Sequence, residues 1–372
     1  MTKTNFFENQ TPTFIDLFAG AGGLSVGLEQ AGFKLVAATD WDHWSCKTLR
    51  ANHKDILVEE GDISKINLND FSERLGRKTV DFIVGGPPCQ GFSQLGKRLK
   101  DDPRNQLWRE YMRFVEFFQP KIFLMENVPQ ILTSGEFEII KEIAENLGYE
   151  VKEKVLHAVD YGVPQKRKRA IILGSKIGTP SHPVPTHTDP NDFNLLNQNL
   201  NPWATVRDAI GDLPLEPTGE DWHIGRNPTP TSIKRYKAVP PGGNRFDLPP
   251  ELTPACWKRK KTGSTDVFGR LLWDAPSLTI RTEFFKPEKG CYLHPQAHRP
   301  ITIREAARLQ TFPDDYIFCG SNVQAAKQIG NAVPCRLAQA IGKELLQLLE
   351  PVADSVQYER VDRVATLQGQ FA

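Results

Sequence analysis

Seven short apolar runs, separated by longer stretches of mixed polarity, constrain what the first 175 residues of this chain can become. They are Thr13–Phe18, Lys34–Thr39, Asp55–Glu59, Val80–Gly85, Lys121–Met125, Val151–His157 and Lys168–Leu173. Most are short and nearly continuously apolar, the pattern of a strand covered on both faces. The intervening stretches carry a period of 3.6. Leu24, Gly27, Leu28 and Ala31 form one stripe, stopped by Gly32. Leu107, Tyr111, Phe114, Val115 and Phe118 form a second, ended by Pro120, and Phe137, Ile140, Ala144 and Leu147 a third, capped by Gly148. Strand–helix alternation of this kind predicts an α/β fold built on a doubly wound, mostly parallel, Rossmann-like sheet.

From about Thr179 to Pro300 the texture changes. Prolines, glycines and polar turns dominate, and no helical period is expected beyond Ala204–Ile210, so the segment reads as a loop-rich insert or second domain. Helix returns at Ile303–Leu309 and again after Pro334, where Leu337, Ile341, Leu345 and Leu348 share one face. So apolar a helix is expected to pack back on the first domain.

In an open parallel sheet, ligands bind outside the carboxyl ends of the strands. Those ends deliver Asp16, Phe18 and Gly20-Ala21-Gly22-Gly23, then Asp40 and Trp41, then Asp62, then Gly86-Pro87-Pro88-Cys89-Gln90, then Glu126-Asn127. The glycine turn lets a ligand approach backbone at the positive end of a helix. Asp40 lies 18 residues beyond Gly22, where a carboxylate accepts from ribose hydroxyls. A nucleoside cofactor follows, with Trp41 as a stacking surface for adenine. Cys89, behind two prolines, is aimed at the crevice as a nucleophile, and no local pattern pairs it with a histidine. Glu126, between Ile122–Met125 and Asn127-Val128-Pro129, reads as a carboxyl in a low-dielectric crevice, able to share a proton with a bound base. The long polar stretch Gln90–Arg104 carries Lys97, Arg98 and Lys100 and reads as a lid over a phosphate-bearing substrate.

Composition narrows the classes. With 39% hydrophobic and 24% charged residues, wholesale disorder is excluded. No stretch approaches the roughly 18 apolar residues of a membrane span. Met1–Gln10 has no apolar signal core, which predicts a cytoplasmic protein. Six cysteines without a C-x-x-C pair or zinc spacing predict reduced thiols and no metal. A net charge of +1 does not by itself announce nucleic acid, but basic clusters stand at Lys97–Lys100, Lys166–Arg169 and Lys258–Lys261.

Taken together, the motifs resemble those of the DNA (cytosine-5)-methyltransferases of bacterial restriction-modification systems. The resemblance rests on Phe14-Ile-Asp-Leu-Phe-Ala-Gly-Ala-Gly-Gly23, Gly85-Gly-Pro-Pro-Cys-Gln-Gly-Phe-Ser93 and Glu126-Asn-Val128. It continues through Gln165-Lys-Arg-Lys-Arg169, Arg304-Glu-Ala-Ala-Arg-Leu-Gln310 with Phe312-Pro-Asp314, and Gly330-Asn-Ala-Val-Pro334, in the family's order along nearly the whole chain. It implies methyl transfer from S-adenosylmethionine to C5 of a flipped-out cytosine in double-stranded DNA, leaving S-adenosylhomocysteine. Cys89 would be the nucleophile, Glu126 the acid on the base, and Arg167 and Arg169 cations beside it. Asp16, Phe18, Gly20, Gly22, Gly23, Asp40, Trp41, Asp62, Ile63, Pro87 and Asn331 would surround the cofactor, and Pro88 would shape the nucleophile turn. DNA would meet Ser93, Gln94, Lys97, Arg98, Lys100, Arg245, Lys258, Arg259 and Lys260. The implied domains are 1–177 with 325–372 for catalysis and cofactor, 178–300 for target recognition, and 301–324 as the joining hinge. The implied partners are DNA and, functionally, a companion endonuclease, with the enzyme acting as a monomer. An RNA cytosine-5 methyltransferase on the same core is a rival reading, which the recognition-sized insert and Gly85–Ser93 disfavour. A catalytically silent homologue would leave Cys89, Glu126 and Arg167 without purpose, and a nucleotide-dependent oxidoreductase would leave Gln165–Arg169 unexplained.

Overall fold

The computed structural model describes residues 11–88, 106–192, 199–259 and 263–349. Its centre is a seven-stranded sheet in the order β3-β2-β1-β4-β5-β8-β6. The strands are β1 (Thr13–Leu17), β2 (Lys34–Asp40), β3 (Leu57–Glu60), β4 (Phe82–Gly85), β5 (Ile122–Asn127), β6 (Glu150–His157) and β8 (Lys168–Ser175); β7 (Gln165–Lys166) pairs outside this sheet with Ser277–Leu278. All seven apolar runs are therefore strands of one sheet. β1 to β5 run parallel, and β8 runs antiparallel to both β5 and β6. The reversal has a simple cause. Residues 158–167 are too few for the helical crossover that a parallel pair needs, so the chain turns back instead.

Strand alternation sends side chains to two cores. On one face, Ile15, Leu17, Ile83, Phe123 and Met125 pack with α3 (Leu68–Leu75), α4 (Leu107–Phe118) and α5 (Gly135–Asn146). On the other, Phe14, Phe82, Val84 and Leu124 pack with α1 (Gly23–Ala31) and α11 (Cys335–Leu349). The helix α2 (His43–Asn52) follows β2 and is N-capped by Asp42, whose carboxylate accepts from the Ser45 amide at 3.0 Å.

The α1–α11 contact depends on missing side chains. A Cβ on Gly23 would lie 2.2 Å from the Val333 carbonyl oxygen, and one on Gly27 would lie 2.2 Å from that of Cys335. A Cβ on Gly342 would lie 2.7 Å from that of Ala31. The C-terminal helix thus returns to the first domain, as its apolar face predicts, through a seam of small residues.

The remainder is less separate than its composition implies. A third core runs without a break from Ala21 and Val26 through Val206, Ile210, Leu271, Ile280 and Tyr292 to Ile303, Phe312, Ala326 and Cys335. It therefore joins α6 (Val206–Ile210), α9 (Ile303–Leu309) and α10 (Asn322–Asn331), crossing the boundaries expected at 178 and 300 and burying much of the expected hinge. Only Tyr236, Val239, Leu248, Phe268 and Leu293 form a small core of their own. Two helices interrupt the stretch expected to lack them, α7 (Pro230–Ala238) and α8 (Ala255–Lys258). Tyr236 is the one buried residue of α7 and α8 has none, so neither leaves a periodic stripe. The available signal was local: Thr229 caps α7 and Pro230 opens it.

We expect Gly27→Ala to lower stability by about 1–3 kcal/mol, because a methyl group there must displace helix backbone. Gly135→Ala, where an added Cβ meets nothing within 4 Å, is the control and should stay within about 0.5 kcal/mol. Urea midpoints of the two variants decide; equal values would remove the seam from the account.

Candidate active site

β1 and β4 leave the sheet side by side, Leu17 opposite Gly85, at the point where strand order reverses. In an open sheet this is where a ligand crevice forms. After β1 the chain turns sharply. Phe18 takes φ 57 and Gly20 φ 56, and a left-handed phenylalanine is an uncommon, strained conformation. The space above Gly20 is open, since an added Cβ would meet nothing within 4 Å. Gly22 opens α1 at φ 77, with the Tyr316 hydroxyl 2.9 Å from where its Cβ would be. That hydroxyl donates to the Ala21 carbonyl at 2.5 Å, so the turn is fastened from below. Gly23 owes its place to packing, as the Val333 carbonyl leaves no room for a side chain.

Asp40 fastens the turn from the side. Its carboxylate accepts from the Gly20 amide at 2.8 Å and, through its other oxygen, from the Asp42 amide at 2.8 Å. Burial raises its pKa. Beside it Trp41 is 75% exposed, with the Lys327 ammonium 5.6 Å from its ring centroid. Asp62 is exposed and caps the short turn Ile63–Lys65 by accepting from Ser64, while Ile63 is buried beneath. Asn331, exposed, closes α10.

Asp16 lies deeper than a ligand contact would. It is fully buried, one oxygen accepts from the Ser25 hydroxyl at 2.6 Å, and the other has no hydrogen-bond partner. Burial pushes its pKa up to about 7, against the lowering pull of Ser25.

Across the switch point, Gly86-Pro87-Pro88 follows β4. A Cβ on Gly86 would lie 2.8 Å from Glu126 Oε2, so a glycine lets the carboxylate approach this turn. The Asn127 amide donates to the Pro87 carbonyl at 3.1 Å and locks the two strand ends together. Glu126 Oε1 forms an ion pair with Arg169, 2.7 Å from its Nε, with both side chains mostly buried.

Arg167 does not join that pair. Only 2% exposed, it donates instead to the carbonyls of Ile280 at 3.1 Å, Gly330 at 3.3 Å and Asn331 at 3.4 Å. Burial and the nearby Arg169 hold its pKa well below the usual arginine range. The structure thus makes Arg167 a brace, where the sequence pattern offered two crevice cations. The chain kinks between β7 and β8, so residues two apart no longer share a face. Gln165, not singled out as a site residue, completes the brace. Its amide donates to Gln310 at 2.8 Å, its carbonyl accepts from the Ile280 amide at 2.9 Å, and Gln310 donates to the Ile329 carbonyl at 2.6 Å. A polar residue in a buried motif was the only sequence signal for it.

In the second region Lys258 and Arg259 are exposed on and beside α8. Arg245 is not; it is 9% exposed with its guanidinium 4.6 Å from the Phe246 ring centroid. Exposed Lys234 and Lys237 on α7 present cations that sequence reasoning passed over. Cys89, Ser93, Gln94, Lys97, Arg98, Lys100 and Lys260 lie outside the described residues. Among the described residues, no group of three His, Cys, Asp or Glu side chains is arranged to hold a metal ion. No described helix is long and apolar enough to cross a membrane.

The profile of the C-5 cytosine-specific DNA methylases matches residues 12–347. The chain belongs to that family. It is a DNA (cytosine-5)-methyltransferase by that membership. It is 38% identical to the Type II methyltransferase M1.HphI of Haemophilus parahaemolyticus, over 90% of this chain and 87% of the relative. It is 37% identical to the Type II methyltransferase M.Eco47II of Escherichia coli, over 93% and 81%. Among solved structures, it resembles a prophage-encoded E. coli protein described as a DNA modification methyltransferase. There the TM-score is 0.68 at 28% identity, covering 91% of this chain and 99% of that one. The Dnmt2 methyltransferase of S. pombe shares the fold, with a TM-score of 0.59 at 18% identity over 91% and 99%.

The buried carboxyl gives this methyltransferase a testable pH dependence. Asp16 holds a proton in the folded chain up to about pH 7 but ionises from about 3.8 when exposed. Folding therefore binds a proton across that window, and its contribution to stability is lost as pH rises through it. Asp16→Asn should gain on the parent chain as pH goes from 5 to 8, by on the order of a few kcal/mol. Urea midpoints at both pH values read this out, and a difference that does not change with pH would overturn it.

Proposed function

We propose that this chain transfers a methyl group from S-adenosylmethionine to C5 of cytosine within a specific short sequence of double-stranded DNA, as the modification half of a restriction-modification system. The observation that carries the reading is the juxtaposition of the Glu126–Arg169 pair with the turn Gly86-Pro87-Pro88, one strand away from the strained turn at Phe18. Relatives named as Type II methyltransferases support the restriction-modification context and hence a companion endonuclease.

The crevice suits the co-substrate. Open space above Gly20, the left-handed Phe18, the exposed Trp41 and the exposed carboxylate of Asp62 offer an aromatic platform, polar acceptors and room for a nucleoside with an amino-acid tail. Phe18, Gly20, Gly22, Trp41, Asp62 and Ile63 would hold it, with Asp40 near the ribose and Pro87 and Asn331 at the margins. S-adenosylmethionine, consumed and released as S-adenosylhomocysteine, supplies an electrophilic methyl group.

The residues supply everything else. Cytosine C5 is a poor nucleophile, and C6 is unreachable within a duplex, so the base is flipped out at a cost of roughly a few kcal/mol. The Cys89 thiolate then adds to C6, while a proton or hydrogen bond from Glu126 at N3 takes up the charge displaced into the ring. Arg169 fixes the Glu126 carboxylate and keeps it aimed. C5, now enamine-like, forms the new bond to the methyl carbon. Transfer of the C5 proton to solvent water, with the N3 proton returned to Glu126, restores the C5–C6 double bond and expels the Cys89 thiolate. The basic residues Lys97, Arg98 and Lys100, with Ser93 and Gln94, are placed by sequence to cover the DNA. Target reading falls to residues 178–300, where Lys258, Arg259, Lys260 and Arg245 contact DNA directly or on rearrangement.

Tritium transfer from labelled S-adenosylmethionine to unmethylated duplex, followed by bisulfite sequencing, tests the whole reading. Methylated cytosines at one short motif are expected; transfer to RNA alone would replace it with the RNA reading. Cys89→Ser should abolish transfer while retaining S-adenosylhomocysteine binding, and turnover in that variant would sink covalent catalysis. Glu126→Gln should slow single-turnover methylation by about 10²-fold or more, with DNA affinity changed far less. An unchanged single-turnover rate would remove Glu126 from the chemistry.

A further inference from the structure

Trp41 stands 75% exposed at the mouth of the crevice, and a tryptophan so poorly buried is not oriented by a core. What approaches it comes from the far end of the sequence. Lys327 lies on the exposed side of α10, four residues before Asn331, with its ammonium 5.6 Å from the Trp41 ring centroid. The same ammonium is 3.0 Å from Asp42 Oδ2. Asp42 is itself fixed, because its other oxygen accepts from the Ser45 amide at 3.0 Å and caps α2. The backbone beneath Lys327 is fixed too: the neighbouring Gln328 accepts from the Thr48 hydroxyl at 2.6 Å and donates to the Cys319 carbonyl at 2.8 Å, tying α10 to α2 through buried side chains. A cation within about 6 Å of an indole centroid is held by the ring quadrupole.

We propose that Lys327 is a positioning residue for the adenosyl end of the co-substrate: its ammonium, neutralised by Asp42, braces the Trp41 indole so that the ring stands ready to stack on a purine. The inference rests on the reading of Trp41 as the adenine platform. It also gives α10 a second role at the crevice, besides carrying Asn331. An aliphatic side chain of similar length cannot do this, since it offers neither the charge for Asp42 nor the attraction to the ring. Arginine can do both.

Calorimetric titration of the full chain with S-adenosylhomocysteine tests the proposal, using Lys327→Met, Lys327→Arg, Trp41→Ala and the Trp41→Ala/Lys327→Met double variant. Lys327→Met is expected to weaken binding by about three- to tenfold, and Lys327→Arg by less than about twofold. In the Trp41→Ala background, already weakened, Lys327→Met should add nothing further, because the brace then has nothing to hold. In methylation assays the loss should appear in KM for S-adenosylmethionine rather than in kcat. Normal binding in Lys327→Met, with Trp41→Ala weakened, would overturn the brace while leaving the adenine platform intact. An equal loss in both backgrounds would also overturn it, since lysine would then act independently of the indole. Normal binding in Trp41→Ala would overturn the platform itself, and the brace with it.

Discussion

The Arg167 guanidinium is almost entirely removed from water and lies against main-chain carbonyls from two distant parts of the chain, Ile280 on one side and Gly330 and Asn331 on the other. Burying such a charge is costly, and with Nε left without a partner the two terminal nitrogens carry all of its hydrogen bonds, so this arrangement tolerates little displacement of either segment. Gln165 and Gln310 extend the same network, and Gly330 makes it possible, because a Cβ there would lie 2.4 Å from the backbone of Arg281 and Thr282. Three stretches, each more than a hundred residues from Gln165 and Arg167 along the chain, are thereby held to one strand end. The end of α10, with Asn331, depends on that network for its place beside the first strand turns.

The crevice is built from groups that would be more stable elsewhere. Phe18 is held in a left-handed conformation, Asp16 is buried with one oxygen unsatisfied, and the Glu126 carboxylate sits 2.8 Å from where a Cβ on Gly86 would be. Strain of this kind persists where the surroundings over-determine it. Here the surroundings are identifiable: Tyr316 under Ala21, Asp40 beside Gly20, Asn127 on Pro87 and Arg169 on Glu126. Each is a single strong contact to one of the crevice elements, and together they keep both turns open to a ligand.

Much of this was legible beforehand, for identifiable reasons. Strands buried on both faces announce themselves as apolar runs, and the seven runs could be found without structure, but the antiparallel pairing of the last two came only with the structure. The motifs around Gly20–Gly23, Glu126 and Gln165–Arg169 were recognisable as the family's because they keep fixed residue types at fixed spacing. Helix α7 was not, because a helix with one buried side chain has no stripe. Nor was the continuity of the third core, which assembles Val206, Ile280 and Ile303 from segments whose sequences look unalike.

The sequence by itself therefore determined the strands of the sheet and the family, since these follow from local periodicity and motif spacing. Only the tertiary structure decided what each charged or small residue does. Arg167 and Arg169 stand two positions apart in one basic run, yet one braces buried carbonyls and the other grips Glu126. Gly20 and Gly23 stand in one glycine turn, yet one faces open space and the other a carbonyl 2.2 Å from where a side chain would begin. A residue's type sets which interactions it can make. Which of them it makes depends on the partners that distant segments bring within reach, and spacing along the chain does not carry that information.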